Sequence, residues 1–229
     1  MAVIGGADSP TSVYLGVLSS DSMSLGLIFV VLGLLGVAAY FLGNISPSTI
    51  MARKQGIDIK KEGSGNAGTT NALRVMGKKA GAITCVIDIL KGVVAVLIGM
   101  LVAGGIGAAI CGLCVYLGHV WPILYKFQGG KGVATAFGGV LAANPLVAVI
   151  ALAIVAIFVF TTKRMSVGSI VGAACFPIIC VFLEPDYFVT ALVIAVIIII
   201  KHRANIVRLI HGEEPIMSIF EKKKAEEDK

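Results

Sequence analysis

The residues best suited to chemistry lie in one polar segment between two apolar runs, at positions 63–79. The segment contains four glycines, three hydroxyl side chains, two carboxamides and three cations. Glycine allows backbone N–H groups to turn inward, and such groups beside Ser and Thr hydroxyls form a site for anions. Arg74 adds a planar guanidinium that matches phosphate oxygens. The pattern indicates a phosphate-binding loop, and a flexible polar linker is the alternative.

A second glycine-rich loop, Gly129–Gly132, comes directly before an apolar run that starts at Val133. A glycine loop at a helix N-terminus presents free N–H groups and the positive end of the helix dipole, which favours a phosphate. Lys131 supplies a positive charge in the same loop. The nucleotide-binding pattern G-x-x-x-x-G-K-[ST] is absent, so the loop predicts an anion site of another kind.

Two more polar clusters flank apolar runs, at residues 163–166 and 201–208. In the second cluster His202, Asn205 and Arg208 are three residues apart and share one helical face. His202 and His119 each have two interpretations, a functional group near membrane depth or a hydrogen-bonded helix end.

Two charged residues stand inside an apolar run. Asp88 and Lys91 are three residues apart, so they can pair on one helical face and reduce the cost of burying their charges. This spacing favours a structural ion pair over a proton relay.

The composition indicates an integral membrane protein. Of the 229 residues, 57% are hydrophobic and 14% are charged, whereas a soluble domain carries about 25% charged residues. The net charge of +6 suggests cytoplasmic loops and anionic lipid headgroups, not nucleic acid. All five cysteines lie in apolar runs, where we interpret them as small buried thiols and expect no metal site.

Turns divide the apolar residues into seven runs. The fourth, at 133–143, would rise only about 17 Å as a helix, so it predicts a half-depth helix, a tilted helix packed in protein, or a helix that starts within the preceding loop. If the 44–79 loop is cytoplasmic, every Lys and Arg except Lys91 falls on that side, as the positive-inside rule requires. The runs are approximately 24–43, 80–102, 106–120, 133–143, 146–161, 167–183 and 187–200.

The predicted fold is therefore an all-α integral membrane protein with seven transmembrane helices, its N-terminus outside and its C-terminus cytoplasmic. Residues 1–23 are expected to form a non-cytoplasmic extension, residues 24–215 the membrane domain, and residues 216–229 a charged cytoplasmic tail.

Four ordered motifs carry a resemblance to a known family. They are G-S-G-N-x-G-x-T-N-x-x-R-x-x-G at 63–77, D-x-x-K-G at 88–92, G-H-x-x-P…F-x-G-G-K-G-V-A-T at 118–135 and H-R-x-N-I-x-R-L…G-x-E at 202–214. On these motifs the chain resembles the bacterial PlsY-type acyl-phosphate:glycerol-3-phosphate acyltransferases. Gln128 and Arg164 depart from the residues expected there, and no motif group is missing.

The resemblance implies an enzyme of the bacterial cytoplasmic (inner) membrane with its active site facing the cytoplasm. It would transfer a fatty acyl group from acyl phosphate to the 1-hydroxyl of glycerol 3-phosphate, giving lysophosphatidate and phosphate in the first step of phospholipid synthesis. No cofactor and no metal are expected. The partners are the two substrates and membrane lipids, and a monomer is favoured.

Together with the resemblance, the residue chemistry suggests direct attack by the acceptor hydroxyl. None of the three histidines is followed five positions later by Asp, the pattern of another acyltransferase class. A proton could go to the leaving phosphate, to His119 or to His202.

Each candidate residue has an expected role. The predicted catalytic residues are Ser64, Arg74, His119, His202 and Asn205. The predicted substrate-binding residues are Asn66, Thr70, Asn71, Gly129, Gly130, Lys131, Gly132, Thr135, Lys163 and Ser166. The predicted structural residues are Asp88, Lys91 and Glu214.

Two other functions use similar residues. An exporter of a phosphorylated metabolite would also need anion sites, but it should carry polar groups toward the outer half of its spans. A lipid-binding scaffold without turnover is the third interpretation, and an activity assay would exclude it.

Overall fold

The structure is a computed structural model that describes residues 25–217 and residue 220. The described residues form helices and connecting turns, without strands. The expected extension at residues 1–23 lies outside the described residues, as does most of the expected tail. The helices are α1 (Leu25–Gly43), α2 (Pro47–Lys54), α3 (Thr69–Met76), α4 (Lys78–Val120), α5 (Val133–Ala143), α6 (Pro145–Thr162), α7 (Met165–Leu183), α8 (Phe188–Lys201) and α9 (Arg203–Ile210).

Four stretches of the described chain are long and apolar enough to cross a membrane, and the bent pair of α8 and α9 is a fifth candidate. The axes of that pair differ by 55° across the break at His202. Large apolar side chains cover the outer surface of these helices, as expected for contact with lipid. The prediction of an all-helical membrane protein is confirmed at this level.

Helix α4 is a hairpin of two antiparallel arms. Its backbone leaves helical geometry at Ala103 and at Gly104, where φ is +59°. In a straight helix Asp88 and His119 would be about 46 Å apart, yet Asp88 Oδ1 and His119 Nδ1 are separated by 3.3 Å. The sequence prediction of two helices joined by a turn at 103–105 is therefore correct, and the arms cover residues 78–102 and 105–120.

Glycines allow the helices to approach closely. A Cβ on Gly99 would lie 2.3 Å from the carbonyl oxygen of Gly107 in the other arm of α4. A Cβ on Gly92 would lie 2.2 Å from the carbonyl oxygen of Thr135, so α5 packs directly on the first arm. Small residues drive this type of packing in membranes, where the hydrophobic effect gives helices little mutual attraction.

The residues at the two ends of α5 determine its short length. It begins after Gly132, whose φ of +80° favours glycine, and it ends at Asn144, directly before Pro145. The Asn144 side chain caps α6 by accepting hydrogen bonds from the backbone N–H groups of Leu146 and Val147. The 11-residue length predicted for this helix is correct, and α5 packs against the α4 hairpin and α6, with Thr135, Gly138 and Gly139 buried.

Candidate active site

The 63–74 loop is held together by the side chain of Asn71. Its carboxamide oxygen accepts a hydrogen bond from the Ser64 backbone N–H at 2.9 Å. Its nitrogen donates to the carbonyl oxygens of Ile59 and Glu62, at 3.2 and 3.0 Å. Because Asn71 is 1% exposed and bonds three backbone groups, it fixes the shape of this loop. A substrate contact for Asn71 remains a prediction.

The bonds of Asn71 leave the Ser64 and Arg74 side chains free on the loop. Both residues are exposed, and Asn66 and Thr70 are partly exposed beside them. The loop depends on glycine at position 63, where φ is +58° and a Cβ would lie 2.3 Å from Asn71 Oδ1. The loop therefore presents the hydroxyl, amide and guanidinium groups that the sequence singled out.

The two glycine loops are in direct contact. Lys60 Nζ donates a hydrogen bond to the Gly129 carbonyl oxygen at 3.0 Å. The space beside Gly130 is occupied on one side by His119 Nε2 and on the other by the carbonyl oxygen of Ala67, which belongs to the first loop. The sequence predicted that both loops lie at one end of the molecule, and the structure places them in contact, while anion binding by either loop stays a prediction.

Lys60 lies between the two loops, and sequence analysis did not single it out. It lies outside the four motifs, and its residue type does not distinguish it from the neighbouring Lys61. Burial, and then the nearby charge of Lys201, lower the pKa of Lys60 to about 8. Only the tertiary contact with Gly129 reveals its position between the two loops.

A buried polar cluster lies next to the second glycine loop. The Asp88–Lys91 ion pair expected from spacing is present at 2.8 Å. Lys91 Nζ also donates to the carbonyl oxygens of Gly43 and Ile45, at 3.0 and 2.8 Å, and lies 2.8 Å from His119 Nδ1. His119 thus joins a cluster that the sequence treated as a pair.

The proton on His119 follows from these contacts. His119 Nδ1 lies 2.8 Å from Lys91 Nζ, which can only donate, and 3.3 Å from Asp88 Oδ1, which can only accept, so the shorter contact favours an accepting Nδ1 and a ring proton on Nε2. His119 Nε2 lies beside Gly130. The imidazole therefore packs a protonated nitrogen against the glycine loop.

A second polar network joins the glycine loop to α9, to the segment that follows α9 and to the residue before α7. Lys131 Nζ donates a short hydrogen bond to Asn205 Oδ1. The Asn205 nitrogen donates to Glu214 Oε1 at 2.7 Å, and Arg208 Nε donates to Glu214 Oε2 at 2.8 Å. Arg164 Nε donates to the Glu214 carbonyl oxygen at 2.9 Å. This series of hydrogen bonds therefore fixes the position of the Lys131 ammonium group.

Electrostatics in this network favour an anionic ligand. Burial, followed by the charges of Arg208, Arg74 and Lys201, lowers the pKa of Lys131 to about 8, and Glu214 only partly opposes the shift. Burial alone would raise the pKa of Glu214, but hydrogen bonds from Asn205 and Arg208 hold it below its ordinary value. One carboxylate among several cations leaves a positive site.

His202 is buried beside this network. Its Nδ1 lies 2.8 Å from the Ile198 carbonyl oxygen. A carbonyl oxygen only accepts, so Nδ1 carries the proton and Nε2 keeps a lone pair. The two site histidines therefore have opposite tautomers.

The remaining candidate residues occupy the same end of the bundle. Thr135 is fully buried in the first turn of α5, and its hydroxyl has no hydrogen-bond partner among the described residues. Ser166 is buried in the first turn of α7. Lys163 is exposed, and its backbone carbonyl accepts a hydrogen bond from Met217 at 2.9 Å. No side-chain contact brings Lys163 to the Lys131 network in the described part of the chain.

Comparison with known proteins identifies the family. The family model described as glycerol-3-phosphate acyltransferase matches residues 14–212. The chain belongs to the glycerol-3-phosphate acyltransferase family. The resemblance seen in the four motifs is thereby confirmed, and the protein is an acyltransferase.

Individual glycerol-3-phosphate acyltransferases align over most of the chain. The enzyme of that name from Clostridioides difficile (strain 630) is 46% identical over 189 residues, covering 79% of this chain and 93% of that protein. The one from Geobacter sulfurreducens is 44% identical over 188 residues, covering 79% and 95%.

Two crystal structures of PlsY, an integral membrane glycerol 3-phosphate acyltransferase, share the fold. The glycerol 3-phosphate form has a TM-score of 0.79 and 34% identity, covering 83% of this chain and 97% of that one. The lysophosphatidic acid form has a TM-score of 0.73 and 36% identity, covering 81% and 94%.

Proposed function

We propose that the protein transfers a fatty acyl group from acyl phosphate to the 1-hydroxyl of glycerol 3-phosphate, giving lysophosphatidate and inorganic phosphate. The observation that carries the proposal is the meeting of the two glycine loops at one positive site, bridged by Lys60 and Gly129. Both substrates are phosphates, and two adjoining anion sites suit a pair of them. The PlsY structures in glycerol 3-phosphate and lysophosphatidic acid forms support the same chemistry.

Glycerol 3-phosphate is assigned to the second loop. Its phosphate would bind the Lys131 and Arg74 side chains and the backbone N–H groups of Lys131 and Gly132. The N–H groups of Gly129 and Gly130, which the sequence also suggested, already donate to the carbonyl oxygens of Val120 and His119 at 3.3 and 3.1 Å. Asn205 holds the Lys131 ammonium in place, and the unpartnered hydroxyl of Thr135 offers a further donor. Lys163 and Ser166 complete the proposed substrate contacts.

The acyl phosphate is assigned to the first loop, beside Ser64, Asn66, Thr70 and Asn71. The acceptor hydroxyl oxygen forms an ester bond to the acyl carbon, and the bond from that carbon to the phosphate oxygen breaks. The electron pair leaves with inorganic phosphate, which is a good leaving group. Positioning and charge stabilisation supply most of the rate enhancement.

The hydroxyl proton has two acceptors in this scheme, the departing phosphate and His202. His202 Nε2 keeps a lone pair, since Nδ1 donates to Ile198. His119 is the weaker candidate, because its contact with Lys91 leaves the proton on Nε2. His119 instead supports Gly130, which makes it a positioning residue in this mechanism.

We also propose a topology. Counting both arms of α4 and the short α5 as spans gives seven, with the N-terminus outside and the C-terminus cytoplasmic. The cations of the described loops cluster at the active-site end, which supports a cytoplasmic site by the positive-inside rule. A monomer in the bacterial cytoplasmic membrane is the simplest assembly for a site built within one chain.

The decisive experiment offers the purified protein three donors with glycerol 3-phosphate: acyl phosphate, acyl-CoA and acyl carrier protein thioester. Lysophosphatidate formed only from acyl phosphate is expected. Product formed from the thioesters alone would place the protein in another acyltransferase class. The pH dependence of transfer by His202→Gln then distinguishes the two proton acceptors. If His202 accepts the proton, the variant loses the pH-dependent step; if the departing phosphate accepts it, the variant keeps that step.

A further inference from the structure

An open pocket of about 520 Å³ lies beside the second glycine loop. Its walls come from α2, from residues 56–60 and from residues 124–128. None of the described residues that we assign to a substrate lines it, so it is separate from the proposed phosphate sites. Lys60 lies at the boundary, because it lines the pocket and also donates to the Gly129 carbonyl oxygen. A pocket of this size suits a small-molecule ligand.

The walls of this pocket carry an excess of positive charge. Arg53, Lys60 and Lys126 line it, and Asp58 is the carboxylate among the lining residues. Asp58 Oδ1 already accepts a hydrogen bond from the Lys60 backbone N–H at 3.1 Å. The ion pairs found in the described part of the chain all lie elsewhere. Three cations and one carboxylate leave two positive charges uncompensated, which favours an anionic ligand.

Arg53 is held in position while its hydrogen-bond donors stay available. Its Cζ lies 5.2 Å from the centre of the Tyr125 ring, and contact with the face of an aromatic ring stabilises a guanidinium. The Arg53 side chain is exposed and donates no hydrogen bond to the described residues. A guanidinium can bind two oxygens of one phosphate in a fixed geometry. Arg53 therefore favours a phosphate over a simple anion such as chloride.

The turn that carries Lys126 has an unusual backbone. Lys126 and Phe127 have φ angles of +54° and +59°, in the left-handed region that residues with a side chain seldom adopt. The Phe127 N–H donates to the Pro122 carbonyl oxygen at 2.9 Å and closes the turn. Such conformations persist where the surrounding structure enforces them, and they are concentrated at ligand sites. This turn places Lys126 on the pocket wall.

The edge of the pocket is apolar. Leu124 lines it and is 66% exposed, and the neighbouring Ile123 is 50% exposed. In a membrane protein, exposed side chains of this kind beside a basic loop suit the lipid headgroup region. A phosphate in the pocket therefore has two sources, the solution and the headgroup of an anionic phospholipid.

We propose that this pocket is a second phosphate site, in which Arg53, Lys60 and Lys126 bind the phosphate group of inorganic phosphate or of an anionic phospholipid. Arg53 donates to two phosphate oxygens, and the two lysines supply further charge. Burial, and then the charge of Lys201, lower the pKa of Lys60 to about 8, and an anion in the pocket offsets that cost. Binding requires no acyl transfer, so the site does not depend on the proposed function.

The test uses Tyr125 as a reporter, because its ring lines the pocket and contacts Arg53. 3-Fluorotyrosine is incorporated into the full chain, and Tyr125→Phe identifies the fluorine resonance of Tyr125. Inorganic phosphate is titrated in detergent, with sodium chloride at matched ionic strength as the reference. The resonance should shift saturably with phosphate and not with chloride. Arg53→Gln should raise the dissociation constant about tenfold or more, as expected for the loss of a charged hydrogen-bond donor.

A second titration distinguishes the two sources of phosphate. The same protein, in nanodiscs of phosphatidylcholine without inorganic phosphate, is given increasing fractions of phosphatidylglycerol. A saturable shift with inorganic phosphate identifies a site for free phosphate. A saturable shift with phosphatidylglycerol alone identifies a headgroup site. In either case Arg53→Gln should weaken the binding.

Lys54→Gln is the matched control, since Lys54 follows Arg53 in α2, is exposed and does not line the pocket. It removes the same charge and should leave the dissociation constant unchanged. Equal weakening by Arg53→Gln and Lys54→Gln would indicate diffuse surface charge and overturn the proposal, as would the absence of a saturable shift with both ligands. Lys126→Gln changes a second lining residue, so the test stands even if Arg53→Gln does not fold. Wild-type protein that uses no acyl phosphate would instead overturn only the proposed function.

Discussion

Gly130→Ala should weaken binding of glycerol 3-phosphate. The added Cβ would lie 2.2 Å from His119 Nε2 and 2.8 Å from the Ala67 carbonyl oxygen. Neither neighbour can move away, because His119 is held by Lys91 and Ala67 is 1% exposed. The glycine loop must therefore shift, and Lys131 shifts with it.

Overpacking of this kind costs about 1–3 kcal/mol. Since 1.4 kcal/mol corresponds to about tenfold in an equilibrium constant, the Michaelis constant for glycerol 3-phosphate should rise about 5- to 150-fold. The rate at saturating acceptor should fall much less, because the acyl phosphate site is untouched.

The assay follows lysophosphatidate formation at varied glycerol 3-phosphate and saturating acyl phosphate, with purified protein in detergent. Gly33→Ala is the control, since nothing lies within 4 Å of a Cβ at Gly33 in α1. It should match wild type in both constants. A folded Gly130→Ala protein with an unchanged Michaelis constant would show that the acceptor phosphate does not bind this loop.

Three further predictions follow from the site. Arg74→Ala and Ser64→Ala should each abolish acyl transfer while the protein remains inserted in membranes, and near-normal turnover in purified Arg74→Ala would remove that residue from the site. Because the pKa of Lys131 is lowered to about 8, its ammonium is present below that pH and lost above it. The kcat/KM for glycerol 3-phosphate should therefore fall as pH rises through 8. In Lys131→Arg, whose side chain stays charged, this fall should occur at a higher pH. Lys91→Met leaves the Asp88 carboxylate buried without its ion pair. Thermal unfolding in detergent should therefore show that the free energy of unfolding falls by about 3–5 kcal/mol. An unchanged melting temperature would mean that the ion pair does not stabilise the protein.

The helices were predictable because apolar runs and their interruptions are local properties of the chain. Ala103–Gly105 and Asn144–Pro145 break the apolar pattern, and the structure turns at those positions. The Asp88–Lys91 contact was predictable for the same reason, since three residues along a helix bring side chains together.

The contacts between distant segments were not predictable in this way. Lys60 resembles any loop lysine until folding brings it to Gly129, 69 positions away. His119 joined the Asp88–Lys91 pair only because α4 folds back on itself. The carboxamide of Asn71 suggested a ligand contact, whereas the structure uses its hydrogen bonds on neighbouring backbone.

The contacts of Lys91 have a consequence for biogenesis. A lysine near the middle of an isolated helix costs about 2.5–3.5 kcal/mol to insert. Here the ammonium is neutralised by Asp88 of its own helix and is also bound by the carbonyl oxygens of Gly43, at the end of α1, and of Ile45, two residues later. The first arm of α4 should therefore leave the translocon most readily when α1 is already beside it, so a chain lacking α1 should be integrated poorly and degraded.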